Sequence, residues 1–135
     1  MVKLKNIALL TAAITFSGAT TASHHGEGNA IMPAANPGQL VLVYHWPCAD
    51  LDAGIDKLKS MIAYERNASP YPYSAVPAIH EDGALASIDV HSSAQSMEKA
   101  VAWQESDSEW QAHLADMASA CGSADDLTVK VLTAQ

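Results

Sequence analysis

Leu40-Val41-Leu42-Val43-Tyr44-His45-Trp46 is the segment on which the fold turns. It is apolar almost throughout, rich in β-branched and aromatic side chains, and too short for a helix. It therefore reads as a strand buried on both faces. Val41, Val43 and His45 point to one side, and Leu42, Tyr44 and Trp46 to the other. Pro47 ends the strand, and Asp50 is placed to cap a helix running to about Arg66. Within that helix Leu51, Ile55, Leu58 and Ile62 recur at helical spacing with Met61 beside them, opposite Asp52, Asp56, Lys57 and Lys59. The prolines of Ser69-Pro70-Tyr71-Pro72-Tyr73 forbid its continuation.

Downstream, residues 74–80 and 84–91 flank Glu81-Asp82-Gly83 and read as a hairpin. With Asp82-Gly83 as a two-residue type I′ loop, Glu81 faces Ala84, Ile79 faces Ala86 and Pro77 faces Ile88. Pro77 cannot donate to a ladder, so its strand belongs at a sheet edge. Residues 94–120 form a helical region in two pieces. Met97, Ala100, Val101 and Gln104 share one side. Ser106-Asp107-Ser108-Glu109 reads as a capping box that restarts the helix, and Trp110, Leu114, Met117 and Cys121 follow on one stripe. Gly122 terminates it. Leu127 to Leu132 alternates apolar and polar residues as a half-buried strand does. The order β-α-β-β-α-β predicts an α+β, ferredoxin-like domain with a four-stranded antiparallel sheet over residues 40–135.

Residues 1–23 stand apart. Lys3 and Lys5 precede an apolar stretch from Ile7 to Phe16, and small residues follow from Ser17 to Ser23. This is the pattern of a secretory signal peptide, with cleavage expected after Ala22 or Ser23. The stretch is well short of the ~20 residues that span a bilayer, so no membrane anchor is expected in the mature form. Export places the protein in the periplasm or outside the cell. Residues 24–39, broken by Gly26, Gly28, Pro33, Pro37 and Gly38, read as a flexible leader. The charge balance is seven Lys and Arg against fifteen Asp and Glu, and removal of the signal takes two of the lysines. So acidic a chain lacks the cationic surface that nucleic acid or anionic lipid requires.

Two cysteines in an exported domain suggest a disulfide. Topology sharpens this. Cys48 follows the first strand, Cys121 precedes the last, and those strands are neighbours at the same sheet end, so the thiols are expected to meet. No Cys-x-x-Cys spacing supports a redox-active pair.

Six histidines carry the search for chemistry. Asp89 and His91, two residues apart on one strand, share a face. With the hairpin register above, Ser87 joins them and His80 sits across from them. Ala86, Ile88 and Val90 then turn towards the helices and leave a polar open face, to which Thr128 and Lys130 belong. The first strand is apolar on both sides, so that open face expects a second subunit or a ligand. His45, His80, Asp89 and His91 are the candidate acid-base or metal-binding groups, and Tyr44, Trp46 and Trp103 the candidate ligand-contacting walls. His24 and His25, at or beside the expected mature N-terminus, offer an alternative copper or zinc site. His113, one turn after Glu109, reads as a local helix pair. No phosphate loop, Gly-x-Ser-x-Gly motif or internal repeat is present, and no cofactor is specified.

From Leu40 to Leu132 the chain resembles the dimeric α+β barrel superfamily, which includes antibiotic-biosynthesis-monooxygenase-like, stress-responsive A/B-barrel and NIPSNAP-like domains. Beyond topology, the resemblance lies in Trp103-Gln104-Glu105-Ser106-Asp107-Ser108-Glu109-Trp110-Gln111-Ala112-His113, similar to the aromatic-rich helix that precedes the last strand in many members. It implies a homodimer in which two sheets form a barrel, with a small apolar or aromatic molecule bound in the barrel or between sheet and helices. The implied activities range from cofactor-free oxygenation and cyclisation to haem degradation, and some members have none known. The export signal and the cysteine pair depart from that pattern. Three readings follow: a small-molecule-binding or converting dimer, a periplasmic copper or zinc binder, and an exported domain with a purely structural role.

Overall fold

The computed structural model describes residues 33–135. The signal segment, His24 and His25 lie outside the described residues. The elements run β1 (Leu40–Trp46), α1 (Leu51–Ala68), β2 (Ser74–Ile79), β3 (Leu85–His91), α2 (Ala94–Ser106), α3 (Ser108–Cys121) and β4 (Thr128–Thr133), with a 3-10 turn at Ala124–Asp126. The four strands form one antiparallel sheet in the order β2-β3-β1-β4, which puts Pro77 on an edge strand as expected. Gly38 N–H donates to Ala134 C=O and Ala134 N–H to Gln39 C=O, each at 2.9 Å, so the β1–β4 pairing extends upstream of Leu40.

Local chemistry sets the helix ends. Asp50 caps α1 by accepting from Ala53 N–H at 3.1 Å. The break between α2 and α3 centres on Asp107, one residue beyond the Ser106 expected as the cap. Its backbone N–H closes α2 on Trp103 C=O, while its carboxylate accepts from Trp110 N–H at 2.8 Å to open α3. Ser106 instead turns its hydroxyl back to Trp103 C=O. Gly122, at φ +102°, ends α3 with its N–H on Ala118 C=O.

The hairpin corrects the sequence reading. His80 and Ala84 close it through a 2.9 Å bond, so the loop is the three residues Glu81-Asp82-Gly83, with Gly83 at φ +86°. Ile79 therefore lies opposite Leu85 and Pro77 opposite Ser87, one residue away from the expected pairing. A one-residue slip moves every β2 side chain to the other face relative to β3.

The helices cover one face of the sheet. Trp46, Leu58, Met61, Ile62, Leu85 and Met117 form the core, and Trp46 is almost wholly buried. Truncating such a side chain costs roughly 3–5 kcal/mol. At one end of the core Cys48 and Cys121 are disulfide-bonded, as expected. The adjacent Asp50 N–H donates to Ala120 C=O at 3.1 Å, joining the start of α1 to the end of α3. Gly54 on α1 makes this closeness possible, since a Cβ there would lie 2.9 Å from Cys48 Sγ and 3.0 Å from Cys121 Sγ.

The identity of the covered face is the second correction. Directly paired residues share a face, and Leu85, Ser87, Asp89 and His91 pair with Trp46, Tyr44, Leu42 and Leu40. All four β3 residues are therefore beneath the helices and buried. Ala86, Ile88 and Val90 pair with His45, Val43 and Val41 on the uncovered side instead. Ile88 is partly exposed there, and Val76 and Leu132 are 51% and 55% exposed. The open face is thus the more apolar of the two along β3.

Candidate functional site

Between sheet and helices lies a cavity of about 220 Å³. Its walls are mostly apolar, from Trp46, Leu58, Met61 and Ile62 to Val101, Leu114 and Met117. Tyr44, Ser87 and Asp89 supply polar groups from the sheet, and Glu65, Gln104 and Trp110 from the helices. An engineered cavity of ~150 Å³ accommodates benzene, so this space suits one substituted ring. A neighbouring crevice of about 430 Å³, between the C-terminal half of α1 and the Tyr71–Ala75 segment, shares Ile62 and Glu65 with it.

Asp89 is the chemically unusual group. It is 8% exposed, and burial pushes its pKa from 3.8 up to about 7; the hydrogen bond from Ser87 Oγ, at 2.5 Å, opposes that rise, and the charge of Glu65 adds to it. Burial also raises the pKa of Glu65, against hydrogen bonds from Trp110, Tyr73 and Gln104 and the charge of His113. Trp110 Nε1–H donates to Glu65 Oε1 at 2.6 Å, and Gln104 Nε2 donates to Glu65 Oε1 at 3.3 Å and to the Tyr73 hydroxyl at 3.0 Å. Tyr44 keeps its proton because burial and the charges of Asp89 and Glu65 all raise its pKa. A carboxyl that titrates near neutrality in an apolar cavity can give a proton to a bound molecule or take one from it.

The four polar candidates from the sequence divide between the two faces. Asp89 and His91 lie beneath the helices. His91, 2% exposed, stacks on Tyr73 at 4.7 Å between ring centroids, and burial lowers its pKa. His45 and His80 lie on the open face with ring centroids 4.9 Å apart. The three-residue loop separates these pairs, because it turns His80 to the side opposite Asp89. Tyr44 and Trp46 line the cavity, whereas Trp103 stacks on Tyr64 outside the lining residues. Trp110, one helical stripe further on, takes the place expected for Trp103. His113 packs against Tyr64.

Two participants went unrecognised in the sequence. Glu65 sits next to Arg66 on a helix read as having a charged outer face, yet it falls on the inner side beyond Ile62. Its spacing of three from Ile62 was the available signal. The sequence pattern marks Asp82 only as a turn residue. Its Oδ1 accepts from Ala84 N–H at 3.0 Å, while its Oδ2 lies 2.8 Å from His45 Nε2. The hydrogen bonds from Ala84 and His45 lower the Asp82 pKa to about 2.

No protein-family model and no curated protein matches the sequence. Solved structures do match in fold. One is a candidate antibiotic biosynthesis monooxygenase of Caulobacter crescentus CB15, at 14% identity and TM-score 0.54 over 73% of this chain and 92% of that one. Another is SnoaB, a cofactor-independent oxygenase of Streptomyces nogalater, at 10% identity and TM-score 0.53 over 73% of this chain and 94% of that one. The β-α-β-β-α-α-β chain over a four-stranded antiparallel sheet thus has the fold of the antibiotic-biosynthesis-monooxygenase-like proteins.

Proposed function

We propose that this is an exported homodimer that binds a compact apolar or aromatic molecule between sheet and helices and exchanges a proton with it at Asp89. The observation that carries this reading is the Asp89 carboxyl, raised to about 7 inside a cavity of single-ring size. An acid buried at such cost, without a cationic partner among the groups that shift it, suits work on a ligand. Tyr44 and Ser87 flank it as hydrogen-bonding groups, and Trp46 and Trp110 supply apolar walls. SnoaB, as a cofactor-independent oxygenase, suggests the reaction to test first.

Dimerisation rests on the open face. Val41, Val43, Val76, Ile88 and Leu132 form an apolar sheet surface without helices, which a second copy covers in the proposed barrel. Export rests on the Lys3, Lys5 and Ile7–Phe16 pattern.

Trp46 and Trp110 report the cavity directly. Monocyclic phenols and hydroquinones are expected to quench their fluorescence, and Asp89→Asn to abolish any oxygen uptake while the rings still bind. A panel of such rings that leaves the fluorescence and the amide spectra of cavity residues unchanged would overturn the reading. Sedimentation of the protein as a monomer at micromolar concentration would overturn the dimer. Retention in the cytoplasmic fraction with residue 1 still present would overturn export.

A further inference from the structure

We propose that His45, His80 and Asp82 form a binding site for a divalent transition ion of the zinc class, on the sheet face opposite the cavity. One ligand atom from each residue lies within 4.8 Å of the other two. His45 Nε2 is 2.8 Å from Asp82 Oδ2, and His80 Nδ1 is 3.1 Å from Asp82 Oδ1. Tetrahedral zinc, with bonds of ~2.0–2.2 Å to imidazole nitrogen and carboxylate oxygen, sets its donors ~3.3 Å apart. Each imidazole nitrogen is therefore within a few tenths of an ångström of that spacing from an oxygen of Asp82, His45 from Oδ2 and His80 from Oδ1.

The backbone builds this arrangement. His45, one residue before the end of β1, pairs with Ala86, and His80, just after β2, bonds to Ala84, so both rings project from one face. The three-residue loop then folds the Asp82 carboxylate back over that face, where the Ala84 N–H holds it. The state of His80 Nδ1 bears on the same point. This nitrogen is shielded from solvent and has no aligned hydrogen-bond partner, despite its closeness to Asp82. In the tautomer that leaves Nδ1 unprotonated, this atom supplies a lone pair to a metal ion beside Asp82. Two imidazoles and one carboxylate favour zinc, copper or nickel over calcium or magnesium, which take oxygen-rich shells. The three protein ligands leave further coordination positions open.

The test uses protein purified without a polyhistidine tag, stripped with chelator and titrated with Zn²⁺ against a chromophoric indicator. Co²⁺ is the spectroscopic substitute. One Zn²⁺ per chain is expected, with visible Co²⁺ bands of low-symmetry coordination. Asp82→Asn keeps the oxygen that accepts from Ala84 N–H, so the loop survives, and it is expected to weaken Zn²⁺ at least ~tenfold. His45→Gln and His80→Gln are each expected to abolish the Co²⁺ bands, whereas the His24→Ala/His25→Ala double variant retains them. Absence of stoichiometric Zn²⁺ at micromolar concentration overturns the proposal. So does binding that persists in Asp82→Asn and His45→Gln and disappears only in the His24/His25 variant.

Discussion

Trp110 Nε1–H donates to Glu65 Oε1 across 2.6 Å, tying α3 to α1 at the wall of the cavity that Asp89 also lines. It is the shortest of the side-chain bonds made to Glu65, and it compensates a carboxyl whose burial is otherwise unfavourable. Trp110→Phe keeps most of the packing and removes the donor. It is expected to cost about 1–3 kcal/mol in urea unfolding, because a buried acceptor loses its partner. A double-mutant cycle with Glu65→Met, which removes the acceptor, isolates the bond, and a coupling near zero would contradict its importance.

Asp89 makes stability depend on pH in a known direction. Its pKa rises from 3.8 to about 7 on folding, so between those values the folded chain holds a proton that the unfolded chain has released. Stability from this group therefore falls as pH climbs through that window, by up to about 4 kcal/mol. His91 acts in the opposite sense: burial lowers its pKa, so protonation of the unfolded chain disfavours folding as pH drops below about 6.5. Comparing wild type with Asp89→Asn across pH 4–8 separates the two. The variant should gain stability relative to wild type at the alkaline end, and a pH-independent difference would refute the assignment.

Gly54→Ala tests how tightly the disulfide is packed. Alanine is the better helix former by about 1 kcal/mol, yet its Cβ would meet both sulfurs at 3.0 Å or less. The steric term should win, leaving a net loss of about 1–3 kcal/mol by thermal or urea denaturation. A gain in stability would mean that the cysteines yield easily.

The Cys48–Cys121 bond closes a separation of 73 residues. In the chain-entropy view, a loop of that size contributes roughly 4 kcal/mol. The Cys48→Ala/Cys121→Ala double variant is expected to lower the unfolding free energy by about 2–4 kcal/mol. Thiol titration of the unreduced, denatured protein should find no free thiol, and two equivalents would disprove the bond.

Much of this fold was legible along the chain because its signals are local. Pro47, Asp50, the prolines after Ser69 and Gly122 each act through their own backbone geometry, and the observed element ends follow them closely. Pro77 identified an edge strand because a missing N–H has the same consequence in any sheet. The cysteine pairing was also accessible, since it needed only the connection order and the adjacency of β1 and β4.

The candidate site was legible only in part. Tyr44 and Trp46 were found because any buried β1 places them towards cover of some kind. The spacing of Asp89 and His91 marks them as a pair, but the alternation along β3 points them to the open side, not beneath the helices where they lie. On β3 the alternation Ala86, Ile88, Val90 is the more apolar, and a single chain was expected to turn that side to its own helices. The register instead commits Ser87 and Asp89 to the same face as Tyr44 and Leu42. Which side of β1 the helices cover is decided by α1 and α3 packing against Trp46 and Leu85, contacts far apart in sequence.

The sequence by itself determined the elements, their order, the edge strand and the cysteine partners, because each follows from backbone chemistry or connectivity over short range. Only the tertiary structure decided that Asp89 and Glu65 line one cavity while His45, His80 and Asp82 meet on the opposite face. The physical reason is the period of two in a strand. One extra loop residue at Glu81-Asp82-Gly83 and the choice of covered face each invert which side chains meet, and neither leaves a local trace in the sequence.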